Sequence, residues 1–124
     1  MGKVTGLGGI FYKVADPERT RAWYQETLGI GGEWGASFRW REGGPEEAYS
    51  LLSPFKAESD YFDPSEAAFM INLRVDDLDG FLAALQAKGV AVLGRQEEEY
   101  GKFAWILDCD GIKIELWEQI GPSM

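Results

Sequence analysis

KVADP at residues 13–17 and RVDDL at residues 74–78 are two copies of one pattern. Each copy closes a short apolar run and begins a helix, and the two helices are expected to end at Leu28-Gly29 and at Lys88-Gly89. The copies lie roughly 60 residues apart, and repetition at a fixed interval is typical of a chain built from similar structural units. The sequence therefore predicts two units with the same order of elements.

The first copy begins with a predicted strand at residues 8–15, where apolar residues alternate with others. Asp16 has the side chain of a helix N-cap. Strands are predicted at about 32–41 and 46–53, with a turn at residues 43–45 between them, where two glycines precede a proline.

The second copy is more regular. Residues 69–75 alternate as a strand, and Asp77 is the predicted N-cap of a helix whose apolar residues recur at i, i+3, i+4 and i+7. Three further strands are predicted at about 90–97, 102–107 and 112–118. Each copy is thus interpreted as a βαβββ module.

These elements predict an α+β fold with two βαβββ modules in tandem. Module one spans residues 6–53, module two spans 68–119, and a linker at 54–67 joins them within a single domain, residues 1–124. Each module is expected to form a mixed four-stranded sheet with one helix on its outer face. The uncovered faces of the two sheets would then curve around a central cleft.

The length of the chain indicates its class of protein, and its net charge limits the kinds of partner expected. A chain of 124 residues with 45% hydrophobic residues is typical of one folded domain. The formal net charge of −9 would repel a phosphate backbone, so no nucleic-acid partner is expected. We also expect no membrane partner and a cytoplasmic location. No apolar run approaches the ~20 residues of a membrane helix, and the N-terminus does not have the pattern of a signal peptide.

The histidine and cysteine content excludes several kinds of catalytic site, metal site and cross-link. The chain has no histidine, which rules out Ser-His-Asp and Cys-His nucleophile systems and removes the commonest ligand for zinc, iron and nickel. Cys109 is the only cysteine, so no intrachain disulfide can form, as fits a reducing compartment.

Strand alternation predicts which side chains line the cleft, because residues of opposite parity point to opposite faces of a sheet. The register of the strand at 102–107 leaves the orientation of Phe103 and Trp105 open. Glu115 is the candidate catalytic residue. The candidate ligand-binding residues are Phe11, Lys13, Met70, Asn72, Arg74, Lys113 and Trp117.

This predicted lining is mostly apolar with a few polar groups, as in many small-molecule sites. Its excess of lysine and arginine favours a small polar or anionic ligand. The alternative is that these charges lie in water at the strand ends and bind nothing. Glu115 likewise has two interpretations, a functional carboxylate or a residue paired with a neighbouring cation.

The paired modules, the similar entries into both helices and the closing segment DCDGIKIEL at residues 108–116 resemble the vicinal oxygen chelate superfamily. That group includes glyoxalase I, the bleomycin-resistance proteins and the extradiol dioxygenases. The resemblance covers roughly residues 6–119. It implies a small-molecule ligand in the cleft and, in the enzymes, a divalent metal held by strands one, four, five and eight.

Carried onto this chain, the resemblance places the metal-ligand positions at Gly9, near residues 49–51, at Met70 and at Glu115. Glycine has no side-chain donor, and a thioether is a poor ligand for a hard or borderline cation. One strong ligand is too few for a metal that takes four to six donors. We therefore expect no cofactor and no metal-ligand residues, with a divalent metal as the open alternative.

Three functions follow from these observations. The first is a metal-free module that binds or sequesters a small molecule. The second is a metal-dependent enzyme of the glyoxalase or dioxygenase type that uses Glu115 with unexpected donors such as Tyr49 or Asn72. The third is a metal-independent lyase or isomerase in which Glu115 moves a proton. The resemblance also allows the cleft to form within one chain or across a dimer, and a homodimer is expected, with Trp34 and Trp40 as candidate interface residues.

Overall fold

The computed structural model describes residues 2–33, 35–39 and 49–120, and these ranges form two α-helices and one mixed sheet of seven strands. Helix α1 is Pro17–Trp23, continued by a π-helical segment at Tyr24–Leu28, and helix α2 is Leu78–Ala87. The strands are β1 Val4–Val14, β2 Ala36–Arg39, β3 Tyr49–Lys56, β4 Phe69–Val75, β5 Gly94–Glu98, β6 Gly101–Leu107 and β7 Lys113–Gln119. The α+β fold class is confirmed.

Both helices begin and end where the sequence predicts. The side chains of Asp16 and Asp77 each accept a hydrogen bond from the backbone N–H three residues on, at 3.2 Å. Gly29 and Gly89 follow the helical segments with φ of 72° and 85°, a conformation that glycine adopts without steric cost. The predicted turn at residues 43–45 and the side chains of Trp34 and Trp40 lie outside the described residues.

The strands run in the order β2-β3-β1-β4-β7-β6-β5 within a single sheet. Strands β1 and β4 pair antiparallel at its centre, while β1–β3 and β4–β7 pair parallel. The prediction of two separate four-stranded sheets is corrected here, since backbone hydrogen bonds between β1 and β4 join the two halves into one sheet. Both halves therefore contribute to a face formed within one chain.

The outer face of the sheet is covered unevenly. Helix α2 buries Leu78 and Leu82 against a core that includes Val75 and Leu116, so the predicted apolar stripe of this helix is confirmed. Helix α1 contacts β3 but has no buried residue. The second half of the sheet is thus the better covered on this face. In the part of the chain that the structure describes, no helix is long and apolar enough to span a membrane.

The connection from β3 to β4 packs onto the opposite face of the sheet. Strand β3 continues to Lys56, beyond the predicted module boundary at residue 53. In the connection that follows, Phe62 is fully buried in a second apolar cluster with Phe11 and Met70. Packing of this segment, rather than a loose linker, closes one side of the cavity described next.

Candidate ligand-binding site

A cavity of about 400 Å³ opens on the face of the sheet that α2 leaves uncovered. Both halves of the chain supply its walls, and most of the lining side chains are aromatic. The lining residues are Phe11, Tyr49, Leu51, Ser53, Phe55, Tyr61, Asn72, Tyr100, Phe103, Glu115 and Trp117. A volume of this size lies within the range of known small-molecule sites, about 300–1,000 Å³.

Strand pairing places the polar groups of the cavity beside one another. Asn72 of β4 lies opposite Glu115 of β7, and Glu115 lies opposite Trp105 of β6. Because residues at paired positions point to the same face, all three side chains meet above the middle of the sheet. Glu115 and Asn72 are each only 2% exposed.

Three donors hold the Glu115 carboxylate. Trp105 Nε1–H donates to Oε1 at 3.0 Å, the Tyr61 hydroxyl also donates to Oε1, and Asn72 Nδ2–H donates to Oε2. A buried carboxylate is stable only when its oxygens are hydrogen-bonded, and these three bonds meet most of that need.

Burial dominates the electrostatics of this cluster. Desolvation raises the pKa of the Glu115 carboxyl above its ordinary value, while the hydrogen bonds from Tyr61, Trp105 and Asn72 and the charge of Lys113 oppose the rise. Burial and the nearby Glu115 charge also raise the pKa of the Tyr61 hydroxyl, which keeps it protonated as a donor.

The structure places four of the predicted site residues on the cavity wall, namely Phe11, Asn72, Glu115 and Trp117. Met70 shares their face but lies fully buried in the apolar cluster beneath the wall. Phe103 lines the cavity and Trp105 bonds Glu115, so both point to this face of the sheet.

The three predicted cations do not line the cavity, which corrects the predicted lining. Lys13 Nζ lies over the ring of Phe62, 5.3 Å from its centroid, and the Arg74 guanidinium lies over the ring of Trp117. Lys113 Nζ donates to the backbone carbonyl of Tyr61 at 2.5 Å. Long side chains can fold back over aromatic neighbours, so strand parity does not fix where their charges lie.

Several lining residues are absent from the predicted lining, and Tyr49 was predicted only as a possible metal donor. Tyr49, Leu51, Ser53 and Phe55 occupy alternate positions of β3 and all face the cavity. The signal was present, because the same period of two continues through residue 55. Tyr61 lies in the connection after β3, where no period indicates which way a side chain points.

A glycine in β1 opens the floor of the cavity. The pairing of β1 with β4 shifts between Leu7 and Gly9, which leaves Gly8 as an irregularity in the ladder. An ideal Cβ on Gly8 would lie 1.8 Å from Asn72 Oδ1 and 3.0 Å from the ring of Trp117. Only glycine lets these two side chains occupy their present positions.

The residues around Glu115 do not fit a divalent cation. Donors point at both carboxylate oxygens, where a metal would require further lone pairs. An ideal Cβ on Gly9 would lie 2.2 Å from the Leu51 carbonyl oxygen, so this strand position has no room for a ligand side chain. Among the described residues, no group of three or more histidine, cysteine, aspartate or glutamate side chains could hold a metal ion.

Of the alternative donors named from the sequence, Asn72 turns its amide N–H toward Glu115 and Tyr49 packs against an aromatic ring. Asn72 presents its N–H group, not its carbonyl oxygen, to Glu115. Tyr49 is fully buried and packs edge-on against Trp117, with ring centroids 5.1 Å apart.

The sequence profile of the glyoxalase/bleomycin resistance protein/dioxygenase superfamily matches residues 6–116. The chain belongs to this superfamily. The match covers most of both halves, including the strand that carries Glu115, and it confirms the resemblance found from the sequence. No curated protein matches the chain significantly.

Several solved structures share the fold at low sequence identity. Streptomyces coelicolor methylmalonyl-CoA epimerase, in complex with 2-nitronate-propionyl-CoA, has a TM-score of 0.74 and 18% identity over 96% of this chain and 100% of that chain. The Mycobacterium tuberculosis methylmalonyl-CoA epimerase has a TM-score of 0.65 and 22% identity, over 95% and 90% of the two chains. Mn(II)-bound glyoxalase from Novosphingobium aromaticivorans has a TM-score of 0.68 and 17% identity, over 100% of this chain and 42% of that one.

Proposed function

We propose that the protein binds a small, largely aromatic molecule in this cavity without a metal ion, and that Glu115 anchors the ligand's polar group. The observation that carries the proposal is a buried carboxylate held by three hydrogen-bond donors inside an aromatic cavity. Aromatic walls bind planar apolar molecules through area burial and ring contacts, and one fixed polar group sets their orientation.

The proposal replaces the anionic ligand favoured by the sequence. That preference depended on Lys13, Arg74 and Lys113, and none of these side chains lines the cavity. An anion would meet the Glu115 carboxylate and the negative faces of aromatic rings. Its binding would therefore be opposed by the groups that form the wall.

A second candidate is metal-independent proton transfer by Glu115. The raised pKa of its carboxyl favours this candidate, because a general base works best when its pKa lies near the working pH. Deuterium exchange from solvent into a carbon atom of a bound ligand, lost in Glu115→Gln, would support catalysis over binding alone.

The binding proposal is tested by a thermal-shift screen of bicyclic aromatic molecules followed by calorimetry of those that stabilise the protein. We expect Phe103→Ala to weaken binding about 10-fold. The Phe103 ring lies parallel to the ring of Trp117, and the substitution removes it from the cavity wall. Phe38→Ala is the matched control, since Phe38 is 43% exposed and does not line the cavity. Absence of any bicyclic ligand, or equal loss in both variants, would count against the proposed site.

A further inference from the structure

The carboxylate of Glu115 and the amide oxygen of Asn72 keep unused capacity to accept hydrogen bonds. A carboxylate has about four lone-pair positions, and donors from the protein fill three of those on Glu115. Asn72 Oδ1 is buried beside it and accepts no hydrogen bond from the described residues. Trp117 Nε1 is a buried donor without a described partner. It lies against Gly101, where an ideal Cβ would be 2.6 Å away, just as Asn72 Oδ1 lies against Gly8.

The charge of the cavity lining also favours a ligand that donates hydrogen bonds, because this charge is negative. Among the described residues that line the cavity, only Glu115 carries a charge. Of the eleven lining residues within the described part of the chain, seven are aromatic, and the face of an aromatic ring attracts positive charge. The formal net charge of −9 adds a negative long-range field.

Lys113, a described cation whose charge acts on Glu115, makes its contacts with other groups. Lys113 Nζ donates to the Tyr61 carbonyl and lies over the rings of Tyr61 and Trp105. Asp60 and Asp63 lie close enough to Lys113 to stabilise its charge. Lys113 thus offsets part of the Glu115 charge but presents no cation to a ligand in the cavity.

We propose, resting on the function proposed above, that the ligand is an organic cation, an aromatic molecule whose protonated amine or amidine donates hydrogen bonds to Glu115 and Asn72 Oδ1. The aromatic body packs between the walls that include Phe11, Phe103 and Trp117. The cationic group satisfies the open lone pairs above Gly8, at the centre of the sheet. A charge-assisted hydrogen bond of this kind is roughly twice as strong as a neutral one.

Three probes of similar shape test the inference on the full chain: 2-naphthylmethylamine as the cation, 2-naphthylmethanol as the neutral form and 2-naphthoate as the anion. Calorimetry is performed at pH 8 and at low ionic strength, where the amine is protonated and screening is weak. We expect the amine to bind about 10-fold more tightly than the alcohol, and the naphthoate to bind most weakly.

Glu115→Gln removes the carboxylate charge while keeping the shape of the side chain. We expect it to weaken binding of the amine more than binding of the alcohol, so that the advantage of the amine over the alcohol is lost. Asp79→Asn is the control, because it changes the net charge equally but Asp79 is on α2, paired with Arg95 outside the cavity. This variant should keep the advantage of the amine.

The outcomes separate the two proposals. Equal affinities for amine and alcohol, or tightest binding of the naphthoate, would overturn the cationic ligand while leaving the aromatic site intact. An advantage that survives Glu115→Gln or disappears in Asp79→Asn would also overturn it. Failure of all three probes to bind would contradict the proposed function itself.

Discussion

Replacing Phe62 by alanine should destabilise the protein by about 3–5 kcal/mol, because the side chain is fully buried and its removal leaves a cavity. Phe62 packs against Phe11 and Met70, and its ring centroid lies 5.1 Å from that of Phe55. A loss of this size is a large part of the about 5–15 kcal/mol that stabilises a typical domain.

The same substitution should weaken ligand binding, since Phe62 holds the segment that carries Tyr61 to Glu115. Unfolding by urea, followed by tryptophan fluorescence, measures the free-energy difference. Phe69→Ala is the matched control, because Phe69 is 41% exposed and should cost about 1 kcal/mol or less. Equal costs for the two variants would mean that the segment after β3 does not contribute to the core.

Glu115→Gln should raise the melting temperature at neutral and alkaline pH. The rise should be about 3–6 °C for each kcal/mol that the substitution adds to the free energy of unfolding. Burial raises the folded-state pKa of Glu115 above its unfolded value, so the folded state binds the proton more tightly. The stability contributed by Glu115 is therefore fully present below the unfolded pKa and is lost as the pH rises through the folded pKa. Glutamine does not ionise and avoids this loss.

The groups that bond Glu115 can also form hydrogen bonds with a glutamine at this position. The glutamine oxygen can accept from Tyr61 and Trp105, and a rotated Asn72 amide can accept from the new NH₂ through Oδ1, which has no partner among the described residues. Other groups that act on the Glu115 charge are Tyr61 and Lys113. Burial and the Glu115 charge raise the pKa of the Tyr61 hydroxyl, so this group stays protonated over the pH range of the test, while burial lowers the pKa of Lys113.

The test is the melting temperature of each variant from pH 4.5 to 9. The difference between Glu115→Gln and the parent chain should grow as the pH rises. Asp79→Asn should show the opposite trend, because Arg95 lowers the pKa of Asp79, and the stability from its ionised form is lost as the pH falls. A Glu115→Gln difference that does not vary with pH would contradict the account of a desolvated carboxylate.

The parts of the fold that depend on local chemistry were predictable. Strand β4 and helix α2 follow the predicted boundaries closely, and the Asp16 and Asp77 caps form as expected. Caps, helix-ending glycines and side-chain alternation act over a few residues, so one sequence contains the necessary information.

The joining of the halves was less predictable, because the β1–β4 pairing connects residues far apart in the chain. At the irregularity in β1 the Asn72 side chain lies against Gly8, although Asn72 pairs with Gly9 in the ladder. Side-chain alternation along a strand is interrupted at a β-bulge, and sequence alone does not reliably show where a bulge occurs.

Strand parity predicted part of the cavity lining but not all of it. Glu115, Asn72 and Trp117 were placed on the correct face by parity. Tyr61 was not, since its segment has no period, and the lysine and arginine side chains fold over neighbouring rings instead of entering the cavity. The chemical character of the site therefore emerged only when the tertiary contacts were known.

The most direct test of the central claim, a ligand site that functions without metal, is calorimetric titration of the untagged, chelator-treated protein with Mn²⁺, Ni²⁺ and Zn²⁺. The account predicts no stoichiometric binding that depends on Glu115, because hydrogen-bond donors surround its oxygens. Binding of one equivalent of any of these ions at micromolar or tighter affinity, abolished in Glu115→Gln and retained in Asp79→Asn, would contradict it.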